Sequence, residues 1–338
     1  MASRKLRMGL IRCDTHGVWF AAMMAEHDPL RLQRPTTYTP DQAYSWQGGG
    51  VHRFFYTNYG DPTLRTAPYV GGFDLVKLWD VDRAAAEQAR DVFLGRPEIC
   101  DSPDRCSDDV DLVLIADCNF DGADHWELAR PGLEKGVATF VDKPFAIDLA
   151  DCRAMIETAQ QHNAPIFSAS ILRFEPFVAR FRDRLSEVGE INFASITGGG
   201  TEPAGLVHSI SFAQHLFGTG ICSVQAMVTP KQTTLWLDYE NQPRAPRHGV
   251  TIHTETGQRR FASALGASVL GTENDIHTLV PGGFAYPWGT AEIVNTIQRM
   301  CESRKNPDEL DDMVEAIAVM EAFREAKKTG KACDVTRN

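Results

Sequence analysis

The chain has 338 residues, 43% hydrophobic and 23% charged, with a formal net charge of −11. That length suits two domains rather than one core, and that composition suits a globular protein. The acidic balance argues against nucleic acid or an anionic membrane surface as partner, because both call for clustered Lys and Arg; a small anionic ligand needs only a local site.

In chain order, MGLIR at 8–12 reads as a strand and 16–27 as a helix. About forty residues follow, over 28–72, with Gly-Gly-Gly, several prolines and many aromatics, including Tyr38, Tyr44, Trp46, Phe54, Phe55, Tyr56 and Tyr59. Long loops inside compact domains tend to be functional or disordered, and the aromatics argue against disorder. A lid, an oligomer contact and a simply packed surface insertion all remain open. Next come a strand at 74–80, an Ala-rich helix at 81–95 and DLVLIAD at 111–117, a run apolar enough for a strand buried on both faces. A helix at about 124–136, a strand at 137–142, a helix at 148–163 and a strand at 164–170 complete an alternation that implies a parallel, doubly wound sheet. Ligands of such sheets bind beyond the carboxyl ends of the strands.

After residue 170 the rhythm changes. Helix 174–188, strand 191–200 and helix 208–218 lead into β-type runs from 221 to about 281, whose hairpin-like spacing suggests an antiparallel sheet. Two helices close the chain, the last with Pro307 at its start and Gly330 past its end. The expected fold is α/β: a Rossmann-type doubly wound domain over 1–170, carrying the 28–72 insertion, then an α/β domain over 171–338 with a large, open, mostly antiparallel sheet.

Eight cysteines occur without a CxxC pair. Reduced thiols and no metal site are expected. The opening MASRKLRMGLI lacks a signal-peptide core and no apolar stretch reaches membrane-spanning length, so a cytoplasmic location is expected.

The turn GLIRCDTHG (9–17) sits where a strand should become the helix that cradles a dinucleotide. A GxGxxG pattern would want glycine at Arg12, Asp14 and Gly17, and only Gly17 is one. Gly17 can bring helix close to strand. Asp14 brings a carboxylate near a diphosphate, Arg12 could neutralise it, and Thr15 could cap the helix, whose N-terminus still offers donors. Asp80 ends the second strand, where a carboxylate accepts from both ribose hydroxyls of an adenosine and repels a 2′-phosphate, which favours NAD over NADP. Asp82 is placed to cap the next helix. Lys143 follows a buried strand directly, where a lysine can hold a substrate hydroxyl or relay its proton. His208 opens an apolar helix that also holds His215; histidine suits proton transfer, while a satisfied core histidine is the other reading of each.

Together these pieces resemble the glucose–fructose oxidoreductase / inositol dehydrogenase / MocA (Gfo/Idh/MocA) family along nearly the whole length. The resemblance is carried by DLVLIADCN (111–119), His125 with the helical run after it, EKGVATFVDKP (134–144), RFEP (173–176), EVGEINFASI (187–196), the His-bearing helix ending in LFG, and the closing MVEAIAVMEAFREAKKTGKACDV. It implies that Lys143 contacts substrate and nicotinamide, and that His208 serves in substrate binding or acid/base work. It also implies that Asn119 and His125 lie near the nicotinamide end, Asp80 near the adenosine ribose and Arg173 near the substrate. The chain departs from the family pattern at Ala204, where an aspartate is common, at Asp142 in place of the glutamate of Glu-Lys-Pro, and at the two missing turn glycines. His16, in the turn that faces the cofactor, is a candidate to supply what is lost.

The expected activity is NAD-dependent hydride transfer at a secondary alcohol of a sugar, cyclitol or sugar derivative, with NADP less favoured. Two alternatives stand: transient oxidation by bound NAD serving elimination, hydrolysis or epimerisation, and a non-redox member acting as a ligand-binding or assembly subunit. An open apolar sheet face needs cover, which implies a homodimer or homotetramer.

Overall fold

A computed structural model describes residues 4–34, 50–116, 121–200, 202–239, 242–255, 265–279 and 285–336. The chain divides into two compact units: 1–146 with 151–168 and 290–310, and 147–150 with 169–289 and 311–338.

The first unit is built on a six-stranded sheet in the order β3-β2-β1-β4-β5-β6. Its elements run β1 (Leu6–Ile11), α1 (Thr15–Met24), α2 (Pro29–Gln33), α3 (Val51–Phe55), β2 (Phe73–Trp79), α4 (Arg83–Val92), β3 (Glu98–Ile99), β4 (Leu112–Ile115), α5 (His125–Glu134), β5 (Ala138–Val141), α6 (Leu149–Gln161) and β6 (Ile166–Phe167). Every strand pair is parallel. β4 and β5 are buried at every residue, as strands covered on both faces must be. Nine of the ten residues of α1 are buried, so it is a core helix rather than an amphipathic one.

The described part of the 28–72 insertion packs onto that helix. Trp19 meets Phe54 and Phe55 edge-on at 5.7 and 4.6 Å. Arg65 lies over the rings of Phe55, Tyr56 and Tyr69 and donates to the carbonyls of Ala22 and Pro68. Tyr38, Tyr44 and Trp46 lie outside the described residues. Residues 290–310 fall in this unit rather than with the second half: Trp19 Nε1 donates to Thr290 Oγ1 at 2.8 Å, Ile166 N to Asn306 Oδ1 at 2.9 Å, and Arg304 Nη2 to the carbonyls of Gly136 and Asn163.

The second unit holds a seven-stranded sheet in the order β12-β11-β7-β10-β9-β8-β13. Its elements are α7 (Pro176–Asp183), β7 (Ile191–Thr197), α8 (Leu206–Phe217), β8 (Ile221–Val228), β9 (Gln232–Tyr239), β10 (Val250–Glu255), β11 (Gly266–Gly271), β12 (Asp275–Leu279), the first turn of α9 (Tyr286–Ser303), α10 (Leu310–Thr329) and β13 (Cys333–Asp334). Only β7 and β10 pair in parallel; the other pairs are antiparallel. The register sorts the side chains by face. Ile276, Val269, Ala194, Val250, Leu237 and Val224 run across one face and are all buried. On the other face Leu279, Leu270, Phe193 and Met227 are 44–76% exposed among Ser, Thr, His and Gln neighbours.

Candidate functional site

The register of the first unit brings Ile11 of β1, Ile115 of β4 and Val141 of β5 to one level. The strand order reverses between β1 and β4, the switch point of the sheet. The turns that leave these strands therefore share one crevice edge.

The turn after β1 is closed by its own side chains. Asp14 is the N-cap of α1: its Oδ1 accepts from the backbone N of His16 at 3.0 Å and of Gly17 at 3.5 Å. The expected cap, Thr15, is instead the first helical residue, because the aspartate before it reaches both amides. Arg12 also has partners of its own. Its backbone is left-handed, with φ +78°, and its guanidinium lies over the ring of Trp79 and pairs with Asp124. Gly17 is where helix and sheet nearly touch: a Cβ there would stand 2.1 Å from the Arg12 carbonyl oxygen and 3.0 Å from that of Ala116.

Asp80 stands one residue past β2 and is nearly buried. Its Oδ2 accepts from Cys13 N at 2.6 Å and its Oδ1 from Asp82 N at 2.8 Å. Burial raises its carboxyl above the usual range, against the pull of those two amides. The carboxylate thus ties the first turn to the second. Asp82 caps α4, accepting from Ala84 N.

The segment Asp142-Lys143-Pro144-Phe145 leaves β5 entirely buried. Asp142 N donates to the Ile115 carbonyl at 2.8 Å, and Asp142 Oδ2 lies 2.5 Å from His16 Nδ1. His125, the first residue of α5, shares its Nδ1 between the carbonyls of Pro144 at 3.0 Å and Phe145 at 3.3 Å. Its ring polarity is directed at the backbone that carries the lysine. Gly122, at φ +85°, lies close enough to both His125 and Pro144 that a Cβ would crowd them at 3.2 Å. Lys143 itself is 8% exposed, and no described residue hydrogen-bonds or ion-pairs with its ammonium. Asn119 lies outside the described residues.

In the second unit, His208 sits in the first turn of α8 and is nearly buried, with its Nδ1 2.9 Å from Ser170 Oγ. Ser170 also caps the 3₁₀ turn that bears Arg173. Arg173 pairs with Asp312 of the segment that includes α10, so its charge is met inside the unit. His215, on the same helix as His208, has a buried Nε2 without a hydrogen-bond partner, and burial lowers its pKa to about 3. It is a neutral, half-buried histidine. Sequence reasoning did not single out Ser170 or Glu175. Glu175 is 0% exposed, neither carboxyl oxygen has a hydrogen-bond partner among the described residues, and burial raises its pKa to about 8. No local pattern marks either role, since both partners are remote in sequence or absent.

Among the described residues no cluster of His, Cys, Asp or Glu could hold a metal ion, and no helix is long and apolar enough to cross a membrane.

A six-stranded parallel sheet whose order reverses between β1 and β4 is a Rossmann-type doubly wound fold. Residues 50–170 match the Gfo/Idh/MocA oxidoreductase family, described as an NAD-binding Rossmann fold, so the resemblance read from the sequence stands and NAD(P)-dependent dehydrogenase chemistry is the class it brings. No curated protein matches the chain. Among solved structures, GenD2 from gentamicin A biosynthesis in complex with NAD is 13% identical, covering 99% of this chain and 98% of its own, with a TM-score of 0.73. Myo-inositol 2-dehydrogenase from Lactobacillus plantarum is 14% identical over 98% and 100%, with a TM-score of 0.70. Levoglucosan dehydrogenase, in complex with NADH and levoglucosan, is 14% identical over 98% and 99%, with a TM-score of 0.68. At such identities the likeness is one of fold.

The residues present fit a dinucleotide. Asp80 offers a fixed carboxylate past β2, where it could meet a ribose, and Gly17 allows the close helix approach. Asp14 uses two of the helix's free amides for itself.

Proposed function

We propose that the chain is an NAD-dependent oxidoreductase acting on a secondary alcohol of a sugar, cyclitol or sugar derivative. Lys143 carries this reading. A nearly buried ammonium costs free energy unless a partner meets it, and no described residue does. A substrate oxygen at the end of β5 would supply that partner. NAD, when bound, supplies the hydride acceptor. Lys143 would hold the substrate hydroxyl and favour negative charge on its oxygen as the carbonyl forms. His208, with one ring nitrogen held by Ser170, is the proposed substrate-binding or proton-transfer residue of the second unit. Asp80 would select NAD over NADP. The substrate class rests on the family match and on neighbours whose names carry myo-inositol and levoglucosan.

The test is an NAD titration of the purified protein, followed by NADH appearance with a panel of cyclitols, anhydrosugars and aldoses. Binding and turnover of at least one panel compound are expected, with Lys143→Ala losing turnover and keeping NAD. Absence of NAD binding at millimolar concentration would overturn the reading in favour of a non-redox ligand-binding member. That second reading is favoured by one observation: Asp14 places a carboxylate at the helix N-terminus, where a diphosphate would sit.

The exposed Leu279, Leu270, Phe193 and Met227 on one face of the second sheet support a homodimer or homotetramer.

A further inference from the structure

His16 is the second residue of α1, and Asp142 is the first residue past β5. β4 lies between β1 and β5 in the sheet, so the 2.5 Å contact of His16 Nδ1 with Asp142 Oδ2 spans the end of β4, on the crevice edge where the strand order reverses. The acceptor is rigid. The Asp142 side chain is 3% exposed, its backbone N donates to the Ile115 carbonyl, and its carbonyl accepts from Ser168 Oγ. The imidazole, in contrast, is 29% exposed.

A carboxylate only accepts, so the hydrogen of the pair sits on Nδ1, and in the neutral ring the lone pair is on Nε2. Nδ1 is turned to a buried carboxylate, so the solvent-facing edge of the ring is the one with Nε2. An imidazole held in one tautomer by a buried carboxylate is a directed proton acceptor. Helix α1 does not need this side chain: its cap is Asp14, which takes the His16 backbone N–H whatever the residue. Asp142, which holds the ring, directly precedes Lys143 on the turn that leaves β5.

We propose that His16, oriented by Asp142, is a general base of the site, its Nε2 taking the proton released from the substrate's secondary hydroxyl. The proposal rests on the NAD-dependent oxidation argued above. In that reaction the O–H bond breaks and its proton goes to Nε2. The C–H bond breaks and its electron pair leaves with the hydrogen as hydride to the nicotinamide. The electron pair left on oxygen closes the carbonyl. Lys143 stays charged and holds that oxygen. In the reverse direction the imidazolium returns the proton.

Two variants and two readouts test this. With each protein saturated in NAD, His16→Gln should lose about 100-fold in kcat with the panel compound turned over fastest, and lose the acidic limb of its kcat/KM pH profile. Added imidazole should restore part of the rate. Independently of turnover, imidazole nitrogen NMR of the nucleotide-free protein should show His16 as the Nδ1–H tautomer, and Asp142→Asn should move it towards Nε2–H, because the amide turns a donor to the ring. A His16→Gln protein with wild-type kcat and pH profile overturns the proposal, as does loss of the acidic limb in His208→Gln alone. An Nε2–H tautomer in the wild type also overturns it. A wild type that binds no NAD overturns the functional reading and this proposal with it; normal wild-type turnover matched by His16→Gln overturns the proposal alone.

Discussion

Gly17 shows how a single residue carries the part of the dinucleotide turn that this chain has kept. A methyl group there would stand 2.1 Å from the Arg12 carbonyl oxygen, so α1 would have to leave β1. Gly17→Ala should cost about 3 kcal/mol of stability, read from urea denaturation. Unchanged stability would mean that the helix is free to shift. Asp14, two residues past Arg12, poses the opposite question, because its charge is dispensable to the cap. Asparagine accepts the same backbone hydrogens. Asp14→Asn should therefore leave the melting temperature in place and tighten NAD binding by about tenfold, measured by calorimetry. An unchanged Kd would show that the carboxylate does not oppose the diphosphate.

Elements were legible in the sequence where one physical signal dominated. β4 and β5 announce themselves as apolar runs because both faces of a parallel sheet are covered. The Asp82 cap and the Gly330 stop follow local backbone chemistry, and both are present: Asp82 accepts from Ala84 N, and Gly330 has φ +68°. Asp82→Ala should lower stability by about 1 kcal/mol, seen as a shift of the urea midpoint with an unchanged slope. β3 and β13, two residues each, carry no periodicity to read, and the helix expected over 174–188 is α7 followed by a 3₁₀ turn over Arg184–Val188. The candidate site divides the same way. Asp80, Lys143 and His208 could be proposed from the sequence because each sits at a strand end or a helix start. The His16–Asp142 bridge, the His125 grip on Pro144 and the Ser170 partner of His208 join residues 126, 19 and 38 positions apart, and only the folded chain puts them together. Arg12 and Arg173 were legible as cations near a site, but not as cations already met by Asp124 and Asp312.

At the scale of the whole molecule, groups that cannot charge freely tie the stability of the fold to pH. His27 of the first unit is held neutral, its pKa lowered to about 4 chiefly by burial, with Nε2 2.7 Å from Tyr56 Oη. His215 of the second unit is lowered further, to about 3. A folded-state pKa below the ordinary 6.5 means that the unfolded chain takes up the proton first, so stability falls as the pH drops below about 6.5. Glu175 works in the opposite direction. Its folded-state pKa of about 8 lies above the ordinary 4.5, so the folded chain keeps a proton that the unfolded chain gives up, and stability falls as the pH rises from 4.5 through 8. Between 4.5 and 6.5 the two histidines outweigh the one carboxyl. Of these three groups only the carboxyl acts above 6.5, so their joint contribution is largest near pH 6.5. Glu175→Gln removes the proton from the balance while keeping the shape. Relative to wild type, the variant should gain about 2 kcal/mol in unfolding free energy between pH 6.5 and 8, a difference that cancels the cost of burying the amide itself. Parallel pH profiles of the two proteins over that interval would show that Glu175 ionises in the folded chain as it does in water. Its burial without a partner would then not be what sets the alkaline arm.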